Sequence, residues 1–163
     1  MGDELRVGTG YDVHPFAEGR PLVLGGVRFE SSRGLAGHSD ADVLLHAIAD
    51  ALLGAAGFGD IGEQFPPTDP QYAGIDSTVL LARVAELLGV GGWRIVNVDS
   101  TLIAERPRIN PVVSQMRVRI AAALGIEPER VGVKATTNER LGFVGREEGI
   151  AAMAVALLRR ACD

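Results

Sequence analysis

The sequence predicts an α+β fold, with a β-sheet on one side of a single domain and helices on the other. Some segments alternate apolar and polar residues between Gly and Pro punctuation, which is typical of strands. Others repeat apolar residues at helical spacing between capping residues. Along the 163 residues the order is strands, helix, helix, strand, helix, strand and a last apolar segment. That order indicates one two-layer domain over residues 1–163.

The first elements are a strand and a hairpin. Residues 5–14 alternate in polarity and stop at Pro15, so they predict a strand. Two short apolar runs, 22–24 and 27–29, flank Gly25-Gly26 and predict a hairpin. Residues 30–37 are polar and contain Gly, so we expect a loop there.

The central helix is predicted to start at Ser39 and to end at Gly57. Ser39 is a good N-cap, and Asp42 follows three residues later, as in a capping box. Asp42, His46 and Asp50 recur one turn apart and share its polar face. The free N–H groups at its start, next to His38, predict a site for an anion.

Two more helices follow an irregular, Pro-rich loop at residues 60–70. The first begins at Asp76 or Ser77 and ends near Gly89, and the second runs from Asn110 to Gly125. The acidic residues of the loop are either solvated or in contact with a ligand.

The remaining segments are strands or ambiguous. Residues 93–104 predict a strand with two distinct faces: Val96, Val98 and Leu102 on one, and Asn97, Asp99 and Thr101 on the other. Residues 131–137 predict another strand that ends in hydroxyl groups. For residues 149–161 helix propensity and a buried strand compete, and periodicity does not decide between them.

Composition excludes several classes of function. The net charge of −5 argues against nucleic-acid binding, which requires a basic face. The one cysteine, Cys162, forms no internal disulfide and is expected to be a spare thiol in a reducing cytosol. Neither a targeting segment nor an apolar run of membrane-spanning length is expected, so we predict a cytoplasmic protein.

Three side chains predict a metal site. Asp12 and His14 are two residues apart on a strand and therefore point to the same face. With His46 they form a set of three N/O ligands with an open fourth position, which is typical of catalytic Zn²⁺. The alternatives are a hydrogen-bonded surface pair of Asp12 and His14, and a helix histidine at 46 that only forms hydrogen bonds. Asp42 or Asp50 is expected to orient His46 by a hydrogen bond.

A metal next to an anion site suits a phosphate substrate. Lys134, Thr136 and Thr137 are candidates for further phosphate contacts. Glu139 is either a solvated loop acid or a ligand of a second hard cation such as Mg²⁺ or Mn²⁺.

Several motifs together resemble the 2-C-methyl-D-erythritol 2,4-cyclodiphosphate synthase family over nearly all of residues 6–161. They are GYDVH at 10–14, HSDADVLLHA at 38–47, GDIG at 59–62, FPPTDP at 65–70, VKATTNE at 133–139 and LGFVGREEGI at 141–150. Each motif alone is weak, but the six in this order are specific. The family cyclises 4-diphosphocytidyl-2-C-methyl-D-erythritol 2-phosphate and releases CMP, in the non-mevalonate (MEP) pathway to isoprenoid precursors.

The resemblance also implies roles for individual residues. One Zn²⁺ per subunit is held by Asp12, His14 and His46, and the second divalent cation, Mg²⁺ or Mn²⁺, involves Glu139. His38 and Thr137 match the positions that stabilise the transition state. The substrate-binding positions are Asp12, Val13, His14, His38, Ser39, Asp60, Ile61, Gly62, Phe65, Pro66, Pro67, Thr68, Asp69, Ala104, Arg108, Ile109, Lys134, Ala135, Thr136, Thr137, Asn138, Glu139, Phe143 and Arg146.

The same resemblance implies a mixed β-sheet covered by helices on one face and assembled as a homotrimer, with active sites at the subunit clefts. A central cavity near Phe143 and Arg146 is implied to hold an isoprenoid diphosphate, and residues 149–161 become a strand. The chain departs from the family pattern at Pro67, Arg108 and Asn110. Two rival functions remain open: a zinc-dependent phosphodiester hydrolase and a non-enzymatic trimer that stores metal or binds isoprenoid phosphates.

Overall fold

A computed structural model of the chain describes residues 3–161, so Cys162 lies outside the described residues. The strands are β1 (Asp3–Glu18), β2 (Leu22–Leu24), β3 (Val27–Phe29), β4 (Arg33–Leu35), β5 (Arg94–Ile103), β6 (Val131–Thr136) and β7 (Gly149–Ala161). The helices are α1 (Val43–Ala56), α2 (Ile61–Gln64), α3 (Ser77–Val90), α4 (Val113–Leu124) and α5 (Gly142–Gly145). No helix in residues 3–161 combines the length and apolarity that crossing a membrane requires.

The main sheet has five strands in the order β4-β1-β7-β5-β6. β7 pairs antiparallel with β1 and β5, whereas β5 and β6 are parallel, so the sheet is mixed. The α+β prediction is therefore confirmed. Residues 149–161 form the central strand because their small side chains, such as Ala152 and Ala156, are buried beneath α1.

Helix α1 packs directly on β1 and β7. Its side chains are buried on most sides, which makes it the centre of the hydrophobic core. Gly8 and Gly10 of β1 permit this close approach. A Cβ atom on Gly10 would lie only 2.8 Å from the backbone nitrogen of Ala51, so even one methyl group would push the helix away from the strand.

Several predicted boundaries are confirmed and others are wrong. Gly57 and Gly125 end α1 and α4 in the left-handed conformation, and Gly25-Gly26 form the hairpin turn with positive φ. Ser39 is not the N-cap of α1; Asp42 is. β1 continues past Pro15, because that residue stands where β1 changes partner from β7 to β4 and needs no N–H bond.

Smaller corrections concern loops and registers. Residues 33–35 form the short strand β4 within the expected loop, and residues 61–64 form a helical turn in the Pro-rich segment. Asn110 starts a 3₁₀ turn before α4 and does not cap it. A bulge between Ile95 and Asn97 removes Val96 from the buried face of β5, where Ile95 lies instead.

The second face of the sheet is exposed and largely apolar. Large hydrophobic side chains that are at least two-fifths exposed line β1 and β7 there: Leu5, Val7, Tyr11, Val13, Met153 and Val155. Asp99 pairs with Val155 and Thr101 with Met153, so the predicted polar face of β5 joins this surface. We call this set of β1, β5 and β7 side chains the open sheet face.

Candidate metal centre and substrate site

The structure brings Asp12, His14 and His46 together. Asp12 and His14 point from β1 towards α1, and His46 lies one turn into that helix. One ligand atom from each residue lies within 4.8 Å of the other two. The predicted convergence of these three side chains is thus confirmed.

Their spacing fits a metal. His14 Nε2 is 2.9 Å from Asp12 Oδ2, and His46 Nδ1 is 3.1 Å from each of these atoms. Two ligand atoms that each bond zinc at about 2.0 Å in a tetrahedral arrangement are separated by about 3.3 Å. The three donors are therefore already spaced as ligands of one small cation, and their N/N/O chemistry suits zinc.

The electrostatics of the cluster couple an acid to two imidazoles. Burial alone would raise the pKa of Asp12, but hydrogen bonds from His14 and His46 lower it overall. Burial would lower the pKa of His46, whereas the Asp12 carboxylate raises it above its usual value. An anionic Asp12 next to imidazole nitrogens is the state that a dication would bind.

The partners of His46 differ from the predicted ones. Neither Asp42 nor Asp50 forms a hydrogen bond with its ring. Asp42 is fully buried and accepts from the backbone N–H groups of Gly25, Gly26 and Leu45, and Asp50 accepts from Ile61. The expected roles of both aspartates were therefore wrong.

The second imidazole nitrogen of His46 instead contacts two buried hydroxyl groups. His46 Nε2 lies 3.1 Å from Ser39 Oγ and 3.0 Å from Ser77 Oγ. Ser77 is a residue that sequence reasoning considered only as a helix cap. Its role was hidden because it lies 31 positions from His46 in the chain.

The start of α1, where the sequence predicts an anion site, already holds a carboxylate. The Asp42 carboxylate already accepts from one N–H group at this end, that of Leu45, and burial raises the pKa of that carboxyl to about 6 despite hydrogen bonds from Gly26, Gly25 and Leu45. Ser39 lies next to the metal ligands, four residues before the first residue of α1, and its hydroxyl contacts His46 and the N–H of Ala41. An arginine, Arg20, donates to the carbonyl of Ser39 at 2.6 Å and holds this loop.

The loops predicted for substrate binding lie beside this cluster. His38 is exposed, and its Nε2 is 3.3 Å from the carbonyl oxygen of Asp69. Asp60 caps the short helix α2, whose first residue donates to Asp50 on the polar face of α1. Residues 66–68 at the tip of the Pro-rich loop are exposed, whereas Phe65 packs edge-on against Tyr72.

A large open cavity of about 1270 Å³ lies at the other part of the predicted site. Six of the predicted substrate-binding residues line it: Ala104, Arg108, Ile109, Ala135, Thr136 and Thr137. The side chain of Ile109 is buried in the core, so the backbone is what it presents to a ligand. None of the described residues that line this cavity belongs to the metal cluster.

A tight turn carries Thr137 and Glu139 at the edge of this cavity. Glu139 and Arg140 both have positive φ, a conformation that costs ordinary residues free energy. Glu105 holds the turn, because its Oε1 accepts from the N–H groups of Asn138 at 3.0 Å and Arg140 at 3.1 Å. Sequence reasoning missed Glu105, since nothing local marks a carboxylate that acts 33 residues away.

Other predicted residues lie elsewhere. Lys134 is on the open sheet face and pairs with Asp99 at 2.6 Å. Val13 also projects there, away from Asp12 and His14. Phe143 and Arg146 lie in and after α5, where Arg146 pairs with Glu148.

The two parts of the site are separated within one chain. Register links Asp12 to Ala152, Leu102 and Ala135 across β1, β7, β5 and β6. Three strand spacings of about 4.8 Å correspond to roughly 14 Å, and fully buried Ala152 and Leu102 fill the intervening core. Within one chain the metal cluster and the cavity are therefore separated by packed core residues.

Comparison with known proteins decides the family. The sequence model of the YgbB family matches residues 5–159. The chain belongs to the YgbB family. A member from Symbiobacterium thermophilum, named 2-C-methyl-D-erythritol 2,4-cyclodiphosphate synthase, is 66% identical over 154 residues, covering 94% of this chain and 98% of that protein. The predicted family resemblance is thus confirmed.

Solved structures agree with the YgbB assignment. One is described as the structure of 2C-methyl-D-erythritol-2,4-cyclodiphosphate synthase in a form with bound CDP; it is 36% identical, with a TM-score of 0.85, covering 94% of this chain and 99% of that one. The bifunctional IspDF from Campylobacter jejuni is 41% identical, with a TM-score of 0.94. This chain is covered to 98% but spans only 43% of that protein, so it corresponds to one part of it.

Proposed function

We propose that the chain cyclises 4-diphosphocytidyl-2-C-methyl-D-erythritol 2-phosphate to 2-C-methyl-D-erythritol 2,4-cyclodiphosphate, as a lyase of the non-mevalonate pathway. An oxygen of the 2-phosphate forms a bond to the β-phosphorus, the bond from that phosphorus to the bridging oxygen breaks, and CMP leaves with the electron pair. The observation that carries this proposal is the convergence of Asp12, His14 and His46 in a chain 66% identical to a protein of that name.

The metal-site residues position the β-phosphate. Asp12, His14 and His46 would hold Zn²⁺, which when bound acts as a Lewis acid on a phosphoryl oxygen. Next to them, the Ser39 hydroxyl oxygen accepts from the N–H of Ala41 at 3.1 Å. This hydrogen bond turns the hydroxyl proton of Ser39 away from Ala41. Ser39 and His38 then donate to phosphate oxygens as negative charge builds up on them.

The cavity residues bind the other end of the substrate. The backbone of 104–109 and the hydroxyl groups of Thr136 and Thr137 line an opening large enough for a nucleotide. Thr137 stabilises the transition state from this side, and Glu139 would take part in holding Mg²⁺ or Mn²⁺, which would neutralise phosphate charge. The exposed loop at 65–69 contacts the methylerythritol part.

A homotrimer unites the two parts. The open sheet face exposes six large apolar side chains on two adjacent strands, a concentration that favours burial against another protein surface. We expect the partner to be a second copy of the chain. The metal cluster and the cavity lie roughly 14 Å apart within one copy, whereas the metal cluster of one copy can face the cavity of the next. Such an assembly brings three copies of Phe143 and Arg146 towards a shared cavity for an isoprenoid diphosphate.

Incubation with the substrate and Mg²⁺ in water enriched in ¹⁸O tests the reaction. Cyclisation yields CMP and a cyclic diphosphate without ¹⁸O, because the nucleophile is the substrate's own phosphate. Release of CMP together with an acyclic 2,4-bisphosphate that carries ¹⁸O in its 4-phosphate would instead show a hydrolase. A wild-type protein that binds substrate but releases no CMP would favour the storage or binding alternative.

A further inference from the structure

The side of His46 that faces away from Asp12 and His14 leads to a carboxylate. His46 Nε2 lies 3.0 Å from Ser77 Oγ, and this oxygen lies 2.5 Å from Asp40 Oδ1. Ser77 is only 1% exposed. The three groups form one continuous path from the predicted metal cluster to an acid on the loop before α1.

The protons along this path can be counted. A serine hydroxyl has one proton, and an ionised carboxylate only accepts. Asp40 already receives the backbone N–H of Ser77 at Oδ2 and that of Asp42 at Oδ1, each at 3.1 Å. An Asp40 carboxylate that accepts from these donors has no proton to give, so the Ser77 hydroxyl is the donor between the two residues. Its proton therefore points to Asp40, and a lone pair of Ser77 Oγ faces His46.

This arrangement determines the tautomer of His46. If Nε2 carried no proton, its lone pair and that of the almost fully buried Ser77 hydroxyl would oppose each other at 3.0 Å. Nε2 therefore keeps its proton, so Nδ1, which lies 3.1 Å from Asp12 Oδ2, is the nitrogen that can release a proton and give its lone pair to a metal.

Ser39 alone does not impose this choice. Its hydroxyl is 3.1 Å from Nε2, but within residues 3–161 no carboxylate forms a hydrogen bond with it. The Ser39 hydroxyl can therefore donate to Nε2 or accept from it. The hydrogen bond between Ser77 and Asp40 sets the direction of the one between Ser77 and His46, because the Ser77 hydroxyl donates its proton to Asp40.

We propose that Ser77 and Asp40 are positioning residues of the zinc site, which hold His46 in the Nε2–H tautomer with Nδ1 directed at the metal. The inference rests on the proposed function, since it presumes that Asp12, His14 and His46 bind zinc. It extends the site to two residues that touch neither metal nor substrate.

We call the path from His46 through Ser77 to Asp40 the relay. Zinc affinity measured by chelator competition tests it directly. Ser77→Ala is expected to weaken zinc binding about 10- to 100-fold, the usual effect of losing a partner of a ligating histidine. Ser100→Ala is the matched control, because Ser100 is equally buried but donates to the carbonyl of Gly132 in the sheet. That control should bind zinc as the wild type does.

Asp40→Ala reaches the same hydroxyl from its other side. With its acceptor gone, Ser77 can turn its proton towards His46 and favour the wrong tautomer, so zinc binding should weaken here as well. The double variant should bind about as weakly as the weaker single variant, because both act through one path. The visible spectrum of Co²⁺-loaded protein should shift in both single variants but not in Ser100→Ala, with thermal unfolding of the metal-free proteins as the check on folding.

Two results would overturn the relay by itself: Ser77→Ala with wild-type zinc affinity and Co²⁺ spectrum while His46→Ala loses the metal, or single-variant effects that simply multiply in the double variant. If wild type and His46→Ala bind zinc equally, the metal site of the proposed function fails and the relay fails with it.

Discussion

Replacing Gly10 by alanine should separate the metal ligands without touching any of them. Gly10 is buried on β1 two residues before Asp12, and its Cα faces the backbone of α1. An added Cβ would overlap Ala47 O and lie 2.8 Å from Ala51 N and 2.9 Å from Ala47 C. These are backbone atoms of a helix, so they cannot rotate away as the end of a side chain can.

The displacement can be estimated from these contacts. Ordinary contact between heavy atoms requires about 3.5 Å or more, and the overlap with Ala47 O is the tightest of these contacts, so α1 must move away from β1 by roughly 1.5 Å. His46 travels with α1, whereas Asp12 and His14 stay on β1, and metal sites tolerate only about 0.2 Å in ligand distances. We expect a loss of about 3 kcal/mol in unfolding free energy, at the upper end for overpacking.

The assay is thermal unfolding of the metal-free protein together with zinc affinity. A loss of 3 kcal/mol corresponds to a fall of about 6–12 °C in Tm, and zinc binding should weaken strongly. Gly54→Ala provides the matched control, because a Cβ at that position of α1 has only Thr9 O at 4.0 Å; it should stabilise the helix by up to about 1 kcal/mol. Unchanged Tm and zinc affinity in Gly10→Ala would refute the close-packing argument.

Three further predictions concern other parts of the molecule. Glu105→Ala removes the acceptor that holds the 138–140 turn and should raise KM about 5- to 10-fold, corresponding to about 1 kcal/mol for the lost hydrogen bonds. Glu105→Gln keeps an acceptor oxygen and should restore most of the wild-type KM. Equal defects in both variants would exclude the role of Glu105 in holding the turn. In the metal-free protein, the raised pKa of His46 adds stability that is complete below the ordinary histidine pKa of 6.5 and is lost as pH rises through the raised pKa. Tm should therefore fall from pH 6 to 9, and Asp12→Asn should flatten that slope. Zinc affinity should rise with pH over the same range. Val7→Asp on the open sheet face should convert the proposed trimer, of three times 17.2 kDa, to a monomer in light scattering and abolish turnover; an active monomer would contradict the proposed shared site.

Local sequence signals predicted the parts of the fold that depend on neighbouring residues. The Gly25-Gly26 hairpin, the ends of α1 and α4 at Gly57 and Gly125, and the shared face of Asp12 and His14 all follow from backbone conformation or strand geometry. These features need no knowledge of what packs against them. Residues 149–161 are the opposite case, since their Ala and Leu residues favour a helix until two neighbouring strands and α1 enclose them.

The hydrogen-bond partners of the site could not be predicted in this way. Asp42 has the right spacing to orient His46, but the buried hairpin turn takes its carboxylate instead. Ser77, Asp40 and Glu105 act across 31 to 37 residues, and no local pattern marks such contacts. Residue types, strand geometry and the family motifs predicted the ligand set, but only the folded chain reveals what holds those ligands in place.

An anomalous difference map from crystals of zinc-loaded protein, recorded at the zinc absorption edge, tests the central claim most directly. The account predicts one strong peak per chain, within bonding distance of Asp12 Oδ2, His14 Nε2 and His46 Nδ1. A map with no peak there, or with zinc bonded to His46 through Nε2, would contradict it.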